Sequence, residues 1–276
     1  MALRKWILCL LLLPAGASAQ FDEGPDDSDL DNEVADATAT QAKLSVDSSD
    51  LKALEAAKAA KSEDALIKAA SRILGVDAKH ALTLNTLGVF YFEQGKYGLS
   101  KIILNRALEA HPDNPTLHNN LGIVFLAEGK QRQALASFRK ALEVKRDHRI
   151  AAANLGSILL EYKDYERALA PLEAGYKATR SELKSGNPNA VEVANNYAIA
   201  LSGVGKHDDA KDIYEEIVEG SSRQPTVLLN YAILLIEKMK NYKEGGKLLS
   251  RIKFAVDDGK VLKRVEELEA KVNSGQ

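Results

Sequence analysis

The chain of 276 residues has a single cysteine, Cys9, inside an apolar run near the start. No disulfide can form within it, and the sequence after Cys9 holds neither a thiol nucleophile nor a thiolate metal ligand. Cys9 also follows Trp6-Ile7-Leu8 too closely to resemble a lipoprotein acylation site. A fold without cross-links must stand on its hydrophobic core, which a chain of this length can supply. Long apolar runs are missing too. The run Trp6–Leu13 falls well short of the ~20 residues a membrane span requires. Charge of one sign is lacking as well, with a formal net charge of −2. No basic face is implied, so nucleic acid is not an expected partner. The sequence also contains no usable Asn-x-Ser/Thr sequon.

The first residues, MALRKWILCLLLLPAGASAQ, place Arg4 and Lys5 before the apolar run, then Pro14 and the small residues Ala17-Ser18-Ala19. That order predicts a secretory signal peptide over 1–19, cleaved after Ala19, and hence export, with a bacterial periplasm as the expected location. Residues 20–46 carry eight acids (Asp22, Glu23, Asp26, Asp27, Asp29, Asp31, Glu33, Asp36) against one base, Lys43. With so little to bury, this stretch is expected to be a disordered acidic linker. Asp27, Asp29 and Asp31 have the alternate spacing that opens a calcium loop. Asn32 replaces its turn glycine, however, and Thr38 stands where the closing Glu belongs, so no calcium site is expected.

Beyond the linker the chain repeats itself. "NTLGVFYFEQG" (85–95) returns as "NNLGIVFLAEG" (119–129), 34 residues later. Counting Ala81 as position 1, position 7 reads Leu87, Leu121, Leu155, Tyr197 and Tyr231, and position 8 reads Gly88, Gly122, Gly156, Ala198 and Ala232. Position 20 is small every time (Ser100, Ala134, Ala168, Ala210, Gly245), and position 24 is large every time (Leu104, Phe138, Leu172, Tyr214, Leu249). The frame needs an insert at 183–190 and one extra residue near Lys240.

Over residues 81 to about 257 this pattern resembles the tetratricopeptide-repeat (TPR) family, whose period is about 34 residues. The family's tryptophan at position 4 is absent, and its proline at position 32 survives only as Pro112. The resemblance implies an all-α fold, a right-handed TPR superhelix of about five to six helix-turn-helix repeats with a C-terminal capping helix. The domains expected are a degenerate first repeat over 47–80, three repeats over 81–182, the insert 183–190, two repeats over 191–258 and the capping helix 259–276.

The spacing has its own physical logic. Apolar positions 7, 8 and 11 share one face of a first helix, and 20, 24 and 27 one face of a second. A turn around position 15 (Gly95, Gly129, Lys163, Gly205) folds the two helices antiparallel. Position 8 is expected to meet position 20 closely, and a leucine at Gly122 to cost about 1–3 kcal/mol by overpacking. Each hairpin keeps a second apolar face that only its neighbour covers, so hairpins stack. Ser62 stands as an N-cap before Leu66, Ala70 and Ile73, and "KVLKRVEELEAKV" (260–272) is apolar on one side and charged on the other. The style of the repeats changes at the insert "LKSGNPNA", where two sub-arrays are expected to meet at a semi-flexible joint.

No catalytic constellation emerges, and the chain is not expected to be an enzyme. "GVGKHDD" shares Gly205-Lys206 with a phosphate loop, but Ala200 replaces the first glycine and His207 the Ser/Thr. His80, His111, His118, His148 and His207 form no i, i+4 pair and no HExxH motif. They read as capping or solvated residues, with no metal and no cofactor expected.

Binding remains. In the TPR family the first helices line a concave groove through positions 2, 5, 9, 12 and 13, with position 6 nearby. By that resemblance the partner-binding groove comprises Asn85, Val89, Phe92, Asn119, Asn120, Ile123, Leu126, Asn154, Leu160, Asn195, Asn196, Ile199, Asn230 and Ile233. Two readings of the asparagines stay open. Their amides both donate and accept, which suits the backbone of an extended peptide, or they brace the next helix. The Lys and Arg with which some family members grip acidic chaperone tails are missing at positions 5 and 6. The expected function is a non-catalytic TPR scaffold or adaptor in a bacterial cell-envelope assembly, of the motility, pilus or secretion kind. It would bind a peptide or helix of an envelope protein. The alternatives are a periplasmic assembly chaperone for envelope subunits and an accessory factor of a cell-wall enzyme.

Overall fold

The computed structural model describes residues 46–219 and 224–275, which form thirteen α-helices joined by short turns. The expected signal peptide, and all of the acidic linker except Val46, lie outside the described residues. No described helix is long and apolar enough to cross a membrane. Backbone contacts divide the chain into two compact units between Arg146 and Asp147.

The first unit contains three hairpins: α1 (Ser48–Ala59) with α2 (Glu63–Val76), α3 (Ala81–Glu93) with α4 (Tyr97–Ala110), and α5 (Pro115–Ala127) with α6 (Gln131–Val144). Asp47, Ser62, His80 and Asn114 each turn a side chain onto a first-turn N–H, satisfying donors that a helix start leaves unpaired. Leu54, Leu66, Ala70 and Ile73 pack with Phe90 in one apolar cluster, and Leu84, Leu104, Leu117 and Leu121 form the next. Residues 47–80 are thus a helical hairpin like those that follow.

The second unit runs α7 (Arg149–Glu161), α8 (Tyr165–Thr179), a 3-10 turn (Arg180–Ser185), α9 (Pro188–Gly203) and α10 (His207–Glu219). It continues with α11 (Pro225–Ile233), a π-helical turn (Leu234–Lys238), α12 (Tyr242–Lys253) and α13 (Gly259–Ser274). The extra residue near Lys240 is absorbed in that π turn, where Met239 N–H donates to the Leu234 carbonyl five residues back, at 3.0 Å. Helix α13 buries Val261, Val265 and Leu268 and leaves its charged side outward.

One expectation needs correcting. It is the joint at 183–190. Leu183 of the insert is 1% exposed and belongs to the second unit's core. Tyr176 of α8 stacks on Tyr197 of α9 at 5.4 Å, and Asn187 donates to Glu182 at 2.7 Å. The insert is therefore packed into the second unit, and contacts thin out at 146/147 instead. A burying leucine among glycine, asparagine and proline is what the loop-like composition concealed.

The close meeting of position 8 with position 20 is seen at Ser100 and Gly88, and position 24 shares it. A Cβ built on Gly88, Gly122 or Gly156 would lie 2.7, 2.6 or 2.3 Å from Leu104, Phe138 or Leu172. The space a side chain at position 8 would need is filled by the large residue at position 24. Position 20 approaches the backbone itself: Ser100 Oγ donates to the Gly88 carbonyl at 2.7 Å.

Candidate functional site

The first helix of each hairpin carries the expected groove residues, and the asparagines among them bond to one another. In the first unit Asn120 Nδ2 donates to Asn85 Oδ1 at 2.8 Å, and Asn119 Nδ2 to Asn120 Oδ1 at 3.1 Å. In the second unit Asn230 Nδ2 donates to Asn195 Oδ1 at 3.0 Å, the same step from position 6 to position 5 of the preceding repeat. Ala153 occupies position 5 of the repeat before Asn196, so Asn196 Nδ2 goes to Ser157 Oγ instead, at 3.0 Å. Asn85, Asn119, Asn120, Asn154, Asn195, Asn196 and Asn230 are all buried. A buried amide needs partners, and Asn120 to Asn85, Asn196 to Ser157 and Asn230 to Asn195 find them on the preceding first helix. Of the two readings of the asparagines, these bonds support the bracing of the next helix.

The apolar residues of the set divide. Val89, Ile123 and Leu160 are fully buried, while Phe92, Leu126 and Ile233 are half-buried. Phe92 packs with Tyr97, ring centroids 5.4 Å apart, against the core of the first unit. Ile199 and Ile233 come together with Asn230 at a cavity of about 120 Å³ within the second unit. The other walls are Leu234, Ser202, Gly203 and the rings of Tyr165 and Tyr214, with Glu237 and Lys238 alongside.

Local structure explains how this cavity is built. Gly203 ends α9 without a side chain, and a Cβ there would lie 2.2 Å from the Tyr165 ring. Tyr165 therefore lies flat against the α9 backbone and closes one side; burial raises its phenol pKa. The π turn carries Leu234, Glu237 and Lys238 to the other side. Although burial works against it, the Glu237 carboxyl is held below the usual range by Lys271 and Arg264 of α13. The repeat frame places Ser202 and Gly203 at the groove positions 12 and 13, so these were readable in the sequence. Tyr165 and Tyr214, on second helices, carry no such signal.

A larger open cleft of about 560 Å³ lies among α8, α9 and α10. Much of its polar inventory is already used. Glu216 takes Arg180 at 2.9 Å and the Tyr176 hydroxyl at 2.5 Å, and Glu173 takes Lys177 at 2.6 Å. Its two tyrosine rings stack on each other. The smaller cavity is the better candidate because Ile199, Ile233 and Leu234 give it apolar walls at the first-helix positions.

Four histidines serve the helix ends. His80 and His148 accept first-turn N–H groups, and His111 and His118 bond the carbonyls of Lys79 and Pro112. His207 departs from the capping or solvated role, since its Nδ1 is buried without a hydrogen-bond partner among the described residues.

Two family models described as tetratricopeptide repeat match residues 79–147 and 119–188. A search of curated proteins gives no match. Among solved structures, the chain is similar to YrrB, a TPR protein described as having an unusual peptide-binding site. The identity is 16% and the TM-score 0.59, covering 72% of this chain and 97% of that one. It is similar to Pseudomonas aeruginosa pilF at 25% identity and TM-score 0.53, covering 71% and 88% respectively. A tetratricopeptide repeat protein from Parabacteroides merdae gives 16% identity and TM-score 0.55, covering 82% and 91%. With its repeated helical hairpins and these matches, the described chain has the all-α tetratricopeptide-repeat fold, and residues 79–188 carry the repeat signature itself.

Proposed function

We propose that this protein is a non-catalytic scaffold of the bacterial cell envelope that holds an extended segment of a partner protein on the first helices of its second unit. The observation that carries the reading is the cavity where Ile199, Asn230 and Ile233 of successive repeats meet. TPR proteins bind protein partners, and YrrB, with the same fold, is described as having a peptide-binding site. The exported location rests on the sequence of residues 1–19, with its basic start, apolar run and Ala17-Ser18-Ala19 end. Motility, pilus and secretion assemblies are the envelope machines proposed as its setting.

An array of overlapping peptides from envelope proteins, probed with wild type and with Ile233→Asp, tests the binding role. A defined set of peptides should bind wild type and lose at least about tenfold with Ile233→Asp, because a charge would enter an apolar wall. Binding without selectivity among peptides would overturn the scaffold reading and favour a chaperone for unfolded subunits. Fractionation of bacterial cells, with N-terminal sequencing of the product, checks export. A mature start at Gln20 in the periplasmic fraction is the expected result.

A further inference from the structure

We propose that the acidic segment 20–46 docks on the exposed basic face of α6, a contact within one chain that shields this face from other polyanions.

Helix α6 and the two residues after it carry Arg132, Arg139, Lys140, Lys145 and Arg146 against one acid, Glu143. All five bases are exposed. Lys140 pairs with Glu143 at 3.2 Å, and the other four have no ion pair among the described residues. Elsewhere Arg72, Arg149, Arg167, Arg180 and Arg264 each hold a carboxylate. Helix stability does not account for the arrangement. Lys145 and Arg146 suit the negative end of a helix, but Arg132 stands in the first turn, where the dipole disfavours a cation and no acid offsets it. Arg132 and Arg139 share the face opposite the buried Ala134, Phe138 and Ala141. Arg106 adds to the charge: it is exposed and unpaired on α4, at the repeat position that Lys140 holds on α6.

The missing counter-charge is on the same chain. Residues 20–46 place eight acids against Lys43 alone. Asp27, Asp29 and Asp31 alternate, so an extended backbone would turn all three carboxylates to one side, about 6–7 Å apart. The step along α6 from Arg132 to Arg139 is about 10 Å, so the two rows are similar in length and opposite in sign. The reach is sufficient. An extended chain spans about 3.3 Å per residue, and the fifteen residues after Asp31, ending at Val46, cover up to roughly 50 Å. Neighbouring helices pack only about 8–10 Å apart, and α6 closes the second hairpin after that of α1. Exposed ion pairs are individually weak, but the tether raises the local concentration of the acids to about the millimolar range. An external acidic partner would have to displace this segment first.

The test uses the exported chain from Gln20, which contains no cysteine, with isotope-labelled amides and a nitroxide label on Ser28→Cys. It rests on the export reading above only for its first residue, which N-terminal sequencing checks separately. At about 0.01 M salt, where the Debye length is about 30 Å, the label should broaden the α6 amide signals around Arg132 and Arg139. At about 1 M salt, with a Debye length of about 3 Å, the broadening should be lost. Replacing Asp26, Asp27, Asp29 and Asp31 by Asn leaves every described residue intact and should abolish it, as should Arg132→Glu combined with Arg139→Glu. Lys247→Glu on α12, a basic helix of the other unit, should change nothing. The proposal is overturned if the α6 signals are the same with oxidised and reduced label at low salt. Broadening that survives high salt, or that affects α12 as it does α6, overturns it too. Phosphatidylglycerol vesicles that bind wild type while its α6 amides show no broadening would give the face to an anionic lipid surface instead.

Discussion

Asn230 reaches back from α11 to Asn195 on α9, Nδ2 to Oδ1 at 3.0 Å, and in the other unit Asn120 makes the same reach to Asn85 at 2.8 Å. Each link joins position 6 of one repeat to position 5 of the one before, which sets neighbouring first helices in register. An apolar contact at the same place would hold them together without fixing how far one slides along the other. Asn195→Ala leaves the buried Asn230 amide without its acceptor and should destabilise the second unit by about 1–3 kcal/mol. Urea denaturation checks this. An unchanged midpoint would return the asparagines to the peptide-binding role.

Gly122 faces the Phe138 ring, and a Cβ there would lie 2.6 Å from the ring carbon Cε1. The ring is wholly buried. Gly122→Ala should therefore cost about 1–3 kcal/mol by overpacking, although alanine favours helix. Pairing it with Phe138→Leu should recover part of the loss, and thermal melts of the single and double variants measure the coupling. Additive losses would show that the two positions do not share this space.

Lys163 occupies the interhelical turn with φ of 56°, where Gly95, Gly129 and Gly205 have φ of 71°, 73° and 85°. A left-handed backbone costs a residue with a Cβ about 1–2 kcal/mol. Glycine removes that cost but loses about 0.5–1 kcal/mol through the greater freedom of its unfolded chain. Lys163→Gly should give a net gain of about 0.5–1 kcal/mol and a Tm rise of roughly 1–4 °C. A lower Tm would mean that the lysine side chain contributes more than its backbone costs.

The fold was legible in the sequence because a stacking fold states its packing problem once per repeat. Small residues at positions 8 and 20 and large ones at 24 announced the hairpins, and Ser62 and Asn114 stand before their helices as caps. What stayed hidden was everything set between repeats. The sequence shows Asn120 and Asn85 but not that they spend their amides on each other. It shows Leu183 inside a loop-like stretch but not the core that receives it. The extra residue near Lys240 was countable, yet its absorption as a π turn is a three-dimensional solution. Of the candidate cavity, Ile199 and Ile233 came from first-helix positions that the frame assigns. Tyr214 reaches it from a second helix, where a large residue reads only as core.

Glu237 ties the π turn to the last helix, taking Arg264 at 3.0 Å and also Lys271, with its side chain 16% exposed. Burial alone would raise its pKa, but the two cations prevail and the folded value is depressed. A depressed carboxyl stabilises the fold fully above its unfolded pKa of about 4.3. That contribution is lost as pH falls through this value toward the folded one. Acidification should therefore loosen α13 before the inner helices, since Val261, Val265 and Leu268 and the Lys253–Glu269 pair are then its remaining attachment. Glu237→Gln should remove the pH dependence and weaken docking at neutral pH by about 1–3 kcal/mol, as expected for charge-assisted hydrogen bonds. Hydrogen exchange of the α13 amides between about pH 3 and 7, after correction for intrinsic exchange rates, reads both effects. Equal loss of protection in wild type and Glu237→Gln on acidification would assign the acid sensitivity to other carboxylates, Glu269 paired with Lys253 first among them.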